Sequence, residues 1–376
     1  MREITIQHYN NKYTTPRACE QAFFAKFTFF RAPPSVDTVH ANGYNNKENV
    51  CVHTQEGGAP MRHFLQEMEF HARWQAEVLP YLAARREDGF FEGHGGVQLR
   101  YVYYRADAPC GTVFLLHGLG ESVEKYRELC YYFLLENRSV VLYDHRGHGL
   151  STREADETVT HVRAFSQYVD DLDAAVRRFA DTPAPHDLFS HSMGGAIAAL
   201  YLERGGDFFR RAILTAPMIA PTRKGLPMWA TVAYCRFAER RGRGAERVRF
   251  LRPFSKKESF RYSHARSRAR FETYYRFKQE NDGHWNGPPT YSWTAEAYRV
   301  PRAILKKGAP ERVRAEVRLY SAEHDLLVAA APQRKFAARV PHATFVPVKN
   351  AKHEIYAADE AVLFPYLNDL LDFLSK

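Results

Sequence analysis

Residues 188–195 read LFSHSMGG, and this stretch decides the fold. It begins with apolar residues typical of a short buried strand, turns sharply at Ser192, and continues into small residues typical of the start of a helix. A strained strand-to-helix turn of this kind lifts a serine hydroxyl above the carboxyl end of a sheet, where it is exposed to a substrate. We therefore predict that Ser192 is a nucleophile in acyl transfer.

The stretch departs from the usual G-x-S-x-G pattern at one position, because Ser190 occupies the place of the first glycine. Small residues are needed there because strand and helix pack closely around the turn. Serine is the next smallest tolerable side chain, so we expect the turn to be retained.

A serine hydroxyl needs an adjacent base and a group that orients that base. In turns of this type the acid and the histidine follow the serine along the chain, in that order. Asp325 and His353 each come just after an apolar run, at 317–320 and 344–348. We predict His353 as the base and Asp325 as the acid that orients it. Glu323, two residues before Asp325, is an alternative for the acid.

The oxyanion of the reaction intermediate needs two N–H donors. Met193 follows the serine at a helix start and supplies one. The segment 117–122, HGLGES, follows an apolar strand, and we predict that the N–H of Leu119 supplies the second. His117 is predicted to support this loop by hydrogen bonding. The segment 144–149, DHRGHG, offers potential metal ligands but is predicted to be a glycine-shaped loop.

Strand and helix patterns alternate from about residue 89 onward. Strand patterns cover 97–104, 112–116, 140–143, 187–189, 212–215, 317–320 and 344–348. Helical patterns cover 123–136, 165–180, 193–203, 333–339 and 360–374. Such alternation predicts an α/β fold with a mostly parallel, doubly wound sheet and right-handed crossovers.

The chain divides into four predicted segments. Residues 61–216 and 311–376 carry the α/β core, and residues 217–310, which lack strand patterns, form a helical and basic cap inserted between them. Residues 1–60 show no sustained periodicity and contain Pro-Pro, Asn-Gly and Gly-Gly pairs, so they are predicted to be a poorly ordered extension.

The net charge of +10 is concentrated in the cap. Residues 221–280 contain 17 Lys and Arg but only 5 Asp and Glu. A localised basic surface favours an anionic partner, which can be a phospholipid headgroup, a nucleic acid or an acidic substrate. The alternative is a solvated face without a partner.

Other features restrict the class of protein. No apolar run approaches the roughly 20 residues that a membrane-spanning helix needs. The five cysteines are scattered and odd in number, which indicates reduced thiols and a cytoplasmic protein.

The cap contains a segment that combines apolar bulk with positive charge, 227–241. We predict that Trp229 and Tyr234 line a site for an acyl chain. Arg240 and Arg241 are predicted to bind a phosphate group or a membrane surface. The alternative for the aromatic residues is a helix packed on the sheet as plain core.

Several motifs together resemble those of the lysophospholipase and monoacylglycerol lipase branch of the α/β-hydrolases, and the bacterial inner-membrane lysophospholipases most of all. The matching segments are HGLGES (117–122), DHRGHGLS (144–151), YVDDL (168–172), HSMGG (191–195), GPPTYSW (287–293), AEHD (322–325) and KHE (352–354). The resemblance extends from about residue 68 to the end. It implies an α/β-hydrolase fold, a Ser192–Asp325–His353 triad, an oxyanion hole formed by the N–H groups of Leu119 and Met193, and no cofactor.

The predicted function is a serine carboxylic-ester hydrolase that releases fatty acid from lysophospholipids through an acyl-enzyme. Monoacylglycerol lipase and general carboxylesterase are alternatives. A proline iminopeptidase-type enzyme would need acidic groups in the cap, and a non-catalytic module would show a broken triad. The predicted partners are a lipid substrate and an anionic membrane surface, at the inner face of the cytoplasmic membrane. Nucleic acid is not predicted, because no binding motif accompanies the basic cap.

Overall fold

The computed structural model describes residues 62–222, 225 and 227–376. These residues fold around an eight-stranded sheet with the strand order β1-β2-β4-β3-β5-β6-β7-β8. The strands are β1 (Arg86–Glu92), β2 (Gln98–Tyr104), β3 (Thr112–Leu116), β4 (Ser139–Tyr143), β5 (His186–His191), β6 (Phe209–Thr215), β7 (Glu316–Ala322) and β8 (Ala343–Val348). Strand β2 is antiparallel to β1 and β4, and the remaining pairs are parallel. The prediction of a mostly parallel sheet is confirmed.

The central strands are continuous apolar runs because both of their faces are covered. Every residue of β3 and β4 is buried, as is usual for strands of a parallel sheet between two helical layers. Strand β1 was not predicted, since its sequence REDGFFE contains four charged residues among seven. It pairs with β2 at the sheet edge, where Arg86 forms ion pairs with Asp88 and Glu124.

Helices pack on both faces of the sheet. They are α1 (Phe70–Arg73), α2 (Leu79–Ala83), α3 (Arg127–Leu135), α4 (Ser166–Arg178), α5 (Met193–Leu202), α6 (Met228–Arg240), α7 (Arg268–Glu280), α8 (Tyr291–Ala297), α9 (Val300–Ile304), α10 (Ala330–Ala337) and α11 (Glu360–Ser375). One apolar cluster contains Leu172 of α4 and Ile197 of α5. A second contains Phe133 of α3 and Leu370 of α11. The core therefore has two layers, one on each face, which confirms the doubly wound architecture.

The interval between β6 and β7 contains helices α6 to α9 and, in its described part, no strand of the sheet. Helices α6 and α8 share a small apolar cluster of their own, formed by Cys235, Ala238, Val248, Tyr291 and Ala295. This cluster is separate from the two cores of the sheet. The elements agree with the helical texture predicted for 217–310, while the domain boundaries themselves remain a prediction.

The predicted extension, residues 1–60, lies outside the described residues. The helical pattern that follows it corresponds to α1, a π-helical turn at Trp74–Val78, and α2. No helix in the described part of the chain is long and apolar enough to cross a membrane.

Candidate active site

Ser192 occupies the sharp turn between β5 and α5. Its backbone has a φ of 52° and a ψ of −115°, a conformation that residues other than glycine rarely adopt. The turn is held because the carbonyl of Ser192 accepts the N–H of Met218 at 2.8 Å. A Cβ atom at Gly194 would lie 2.5 Å from the carbonyl oxygen of Leu116, and one at Gly195 would overlap Pro217. The two glycines thus allow α5 to start directly against the neighbouring strands.

The serine that replaces the first glycine of the motif is accommodated inside the sheet. Ser190 is fully buried, and its hydroxyl donates a hydrogen bond to the carbonyl of Ile213 at 3.2 Å. A buried hydroxyl with a partner carries little penalty, whereas an unpaired one would be destabilising. The departure from the usual pattern therefore leaves the turn intact.

His353 and Asp325 meet Ser192 although they are far apart in sequence. His353 Nε2 lies 2.8 Å from Ser192 Oγ, and His353 Nδ1 lies 2.6 Å from Asp325 Oδ2. The carboxylate can only accept, so Nδ1–H donates to Asp325 and Nε2 is left to accept the serine proton. All three side chains come from turns at the carboxyl ends of strands, which meet at one edge of a parallel sheet.

The carboxyl group of Asp325 is kept ionised by its surroundings. Burial is the largest single influence and would raise the pKa of Asp325, but the hydrogen bond and charge of His353 and two backbone donors together outweigh it. The N–H groups of Leu327 and Val328 also donate to Oδ1, at 2.8 and 3.0 Å. The pKa of Asp325 therefore lies below its ordinary value, and the charge can stabilise an imidazolium on His353.

The alternative acid, Glu323, does not reach the histidine. Its side chain is half exposed, and it accepts the N–H of Asn350 at 2.8 Å. The neighbouring His324 is also half exposed. Glu323 thus fixes the loop before His353 rather than contacting it.

The loop after β3 brings backbone N–H groups to the serine. A Cβ at Gly118 would lie 3.1 Å from Ser192 Cβ, so the segment before Leu119 touches the nucleophile. The N–H of Leu119 donates no hydrogen bond within the described residues, and Met193, as the first residue of α5, has no intrahelical acceptor for its own N–H. Both N–H groups predicted for the oxyanion hole are therefore unused.

Glu121 holds this loop in place, a role that sequence reasoning did not assign. Its carboxylate accepts the N–H of Gly118 at 2.6 Å and the hydroxyl groups of Tyr126 and Tyr356 at 2.5 and 2.9 Å. It also pairs with Lys125 at 2.8 Å. Burial opposes ionisation, yet the charge of Lys125 and these donors keep the pKa of Glu121 well below its ordinary value. The only available signal was its place inside the HGLGES segment.

His117 supports the same loop, as predicted. Its ring contacts the carbonyl of Gly118 and accepts the N–H of His145, at 2.8 and 2.9 Å. Asp144, in the DHRGHG segment, accepts the N–H groups of Val123 and Leu150. Among the described residues no group of three or more His, Cys, Asp or Glu side chains is arranged to hold a metal ion. These residues hold loops together.

A cavity of about 1280 Å³ opens above Ser192 and His353. This exceeds the 300–1,000 Å³ typical of small-ligand sites. By chemical character the lining residues form two groups, which we call the uncharged wall and the charged wall. The uncharged wall is formed by Met218, Pro221, Thr222, Thr231, Phe250, Leu251, Pro289, Trp293, Thr294, Tyr298, Leu327 and Val328. The charged wall contains Glu121, Glu124, Lys125, Arg127, Glu128, Arg252, Lys257, Glu258, Arg270, Lys278 and Glu354, together with aromatic residues such as Trp74 and Tyr274.

The four residues predicted to bind substrate are not among those that line this cavity. Trp229 is 68% exposed and Tyr234 is 39% exposed, and Arg240 and Arg241 lie at the exposed end of α6. From α6 it is Thr231 that lines the cavity. Trp229 and Tyr234 do not line the cavity because the face of α6 that carries them points to solvent.

Most charges of the charged wall are paired with one another. Lys125 bridges Glu121 and Glu354, Arg127 pairs with Glu124, Arg270 with Glu128, and Lys278 with Glu258. All five glutamates that line the cavity therefore have a cationic partner. Arg252 and Lys257 form no ion pair with any described residue, and both are exposed.

The comparisons with known proteins agree with this geometry. A family model described as serine aminopeptidase, S33 (Hydrolase_4) matches residues 107–360. The chain is 31% identical to lysophospholipase L2 of Escherichia coli over 310 residues, which is 78% of this chain and 88% of that protein. It is 26% identical to a probable lysophospholipase L2 of Haemophilus influenzae, over 83% of this chain and 99% of that protein.

Solved structures support the fold. The monoacylglycerol lipase of Paleococcus ferrophilus superposes with a TM-score of 0.58 at 21% identity, covering 74% of this chain and 98% of that one. At this identity the likeness concerns the fold. Together with the family match, these findings show that the chain belongs to the Hydrolase_4 family of α/β-hydrolases, in the branch that contains lysophospholipases and monoglyceride lipases.

Proposed function

We propose that this enzyme hydrolyses lysophospholipids and releases their fatty acid through an acyl-enzyme on Ser192. The observation that carries the proposal is the continuous hydrogen-bonded chain from Ser192 Oγ through His353 to Asp325, with distances of 2.8 and 2.6 Å. The relatives support an ester of a lipid as the substrate, since two of them are named as lysophospholipases and others as monoglyceride lipases.

The geometry supports a two-step reaction. His353 removes the proton of Ser192 as its oxygen attacks the ester carbon, and the N–H groups of Leu119 and Met193 donate to the resulting oxyanion. The imidazolium then gives its proton to the departing alcohol, the glycerophosphate part of the lipid, and the ester C–O bond breaks. A water molecule, deprotonated by His353, attacks the acyl-enzyme, and the fatty acid leaves as Ser192 regains its proton.

The walls of the cavity suit a single-chain lipid. An acyl chain needs contacts with uncharged residues, and the uncharged wall, which includes Met218, Leu327 and Val328, supplies them in the cavity that Ser192 also lines. Peptidase activity of the iminopeptidase type would need a free carboxylate for the substrate ammonium. The glutamates of the charged wall are all engaged by lysine or arginine, which disfavours that alternative.

A membrane surface is the second proposed partner. Trp229 and Phe237 lie two turns apart on α6 and are 68% and 57% exposed, and Arg240 and Arg241 follow them. We call these four residues the α6 surface. Exposed aromatic side chains next to cations suit the interface of an anionic bilayer, where each basic residue contributes about 1 kcal/mol. This proposal gives Trp229, Arg240 and Arg241 a role outside the cavity.

Comparing the enzyme with its Ser192→Ala variant tests the catalytic proposal. Fatty acid released from lysophosphatidylcholine, lysophosphatidylethanolamine and monoacylglycerol is measured for both proteins. We expect faster release from the lysophospholipids and at least a 10³-fold loss in the variant. Activity that survives in Ser192→Ala would contradict the nucleophile, and release from monoacylglycerol alone would contradict the proposed substrate.

A further inference from the structure

The cations of the cavity differ in whether they are available to a ligand. Lys125, Arg127, Arg270 and Lys278 each bind a glutamate of the same wall. Arg252 and Lys257 are the remaining two lysine or arginine residues among the described lining, and neither contacts a carboxylate of the described residues. These two side chains therefore carry the positive charge that is available to an anionic ligand in the cavity.

The backbone before Arg252 is fixed by another arginine. The guanidinium of Arg247 donates to the carbonyl oxygens of Val248, Arg249 and Leu251. The N–H of Leu251 also binds the carbonyl of Val248 at 3.0 Å. The guanidinium of Arg247 thus stabilises the turn that leads to Arg252. The turn therefore fixes the backbone that leads to Arg252, while the guanidinium of Arg252 itself forms no ion pair with a described residue.

Lys257 is held in a similar way by its neighbours in the chain. Lys256 pairs with Asp282 at 2.8 Å, and Glu258 pairs with Lys278 at 2.5 Å. The N–H of Lys257 donates to the hydroxyl of Ser255 at 3.1 Å. Ion pairs on both sides therefore anchor the backbone of Lys257 while leaving its ammonium unpaired at the cavity.

We propose that Arg252 and Lys257 form the subsite that binds the phosphodiester of the substrate; this inference rests on the proposed function. A guanidinium gives two parallel hydrogen bonds to phosphate oxygens, and an ammonium adds a point charge. The phosphodiester then binds Arg252 and Lys257, while the acyl chain contacts uncharged residues of the same cavity and the ester reaches Ser192. Lysophospholipids are thereby preferred over neutral monoacylglycerols.

The test compares two double variants that remove the same charge. Arg252→Gln/Lys257→Gln alters the subsite, and Lys306→Gln/Lys307→Gln alters two exposed lysines that neither line the cavity nor belong to the α6 surface. Short-chain lysophosphatidylcholine and a monoacylglycerol of equal chain length are supplied as monomers without vesicles, so that bilayer phosphates cannot contribute. The measured quantity is the ratio of kcat/KM for the two substrates.

We expect this ratio to fall about 10- to 100-fold in the first variant and to stay within about twofold in the second, because charge-assisted hydrogen bonds to the phosphate are lost only in the first. An unchanged ratio in the first variant, or an equal fall in both, would overturn the subsite.

A second measurement separates the subsite from the choice of substrate. Glycerophosphocholine is tested as a competitive inhibitor of p-nitrophenyl butyrate hydrolysis. Inhibition that weakens at least tenfold in Arg252→Gln/Lys257→Gln supports the subsite, even if lysophosphatidylcholine is hydrolysed poorly and the proposed substrate fails. Inhibition of equal strength in the parent and this variant, or no inhibition of the parent, contradicts the subsite.

Discussion

The side chains around Ser192 are buried and hydrogen-bonded, whereas those on the surface of α6 are exposed to solvent. Around Ser192 the side chains of Asp325, His353 and Glu121 are buried, and each has partners within 3 Å. On α6 the large aromatic residues and the last two arginines face solvent. The difference indicates that the proposed chemistry depends on a fixed arrangement of buried partners, whereas the proposed contact with a lipid surface depends on exposed groups.

The acid of the triad offers the largest test of this contrast. Asp325→Asn keeps the size of the side chain but removes the charge that fixes the tautomer of His353. We expect kcat to fall about 10⁴-fold. Glu323→Gln, in the same loop but half exposed, is the matched control and should retain the parent rate. A comparable loss in both variants would show that the loop, and not the Asp325 carboxylate, is responsible.

The buried histidines beneath the site give the next largest effect. Burial lowers the pKa of His191 to about 3, and it also lowers the pKa values of His117, His145 and His148. The folded protein keeps these rings neutral, while the unfolded chain takes up protons below about pH 6.5. The contribution of these rings to stability is therefore full above pH 6.5 and declines as the pH falls below it, by up to about 1.4 kcal/mol per pH unit for each ring that stays neutral in the folded protein.

Urea unfolding between pH 7.5 and 5 measures this decline, because that range precedes the titration of most carboxylates. A free energy of unfolding that does not change across it would contradict the neutral, buried state of the four histidines. None of the four residues of the α6 surface is a histidine, so substituting them should not change the pH dependence of the free energy of unfolding.

The smallest expected effect concerns the α6 surface itself. Trp229→Ala/Phe237→Ala should weaken binding to vesicles containing phosphatidylglycerol by about 10- to 100-fold, since each removes a large exposed ring. Hydrolysis of a monomeric short-chain ester should be unchanged, because neither residue lines the cavity. Co-sedimentation with vesicles measures the binding, and Met68→Ala, at a residue that is 94% exposed and does not belong to α6, serves as the control. Equal binding of parent and double variant would contradict the proposed membrane contact.

The arrangement of the candidate catalytic residues could be predicted from sequence because their signals are local. The strand before Ser192, the strand before Asp325 and the strand before His353 are short apolar runs, and the turn chemistry follows them directly. In a parallel sheet the carboxyl ends of strands necessarily meet, so three local signals were sufficient to assemble one site.

The cavity lining could not be predicted in the same way. Whether an arginine is free depends on carboxylates that are distant in the chain, as in the pairs Arg236–Glu296 and Arg270–Glu128. Composition showed the excess of positive charge but not which cations remain unpaired. Strand β1 was missed for a related reason, because its charges are paired with groups outside the strand, as in Arg86–Glu124 and Asp88–Arg100.

The backbone conformation of Ser192 affects which substitutions directed evolution would select at this position. With φ at 52° the residue occupies a region that is comfortable only for glycine, at a cost of about 1–3 kcal/mol. A library selected for thermal stability alone would be enriched in glycine at this position and would lose the proposed nucleophile. Directed evolution for thermal stability must therefore also screen for catalytic activity in every round.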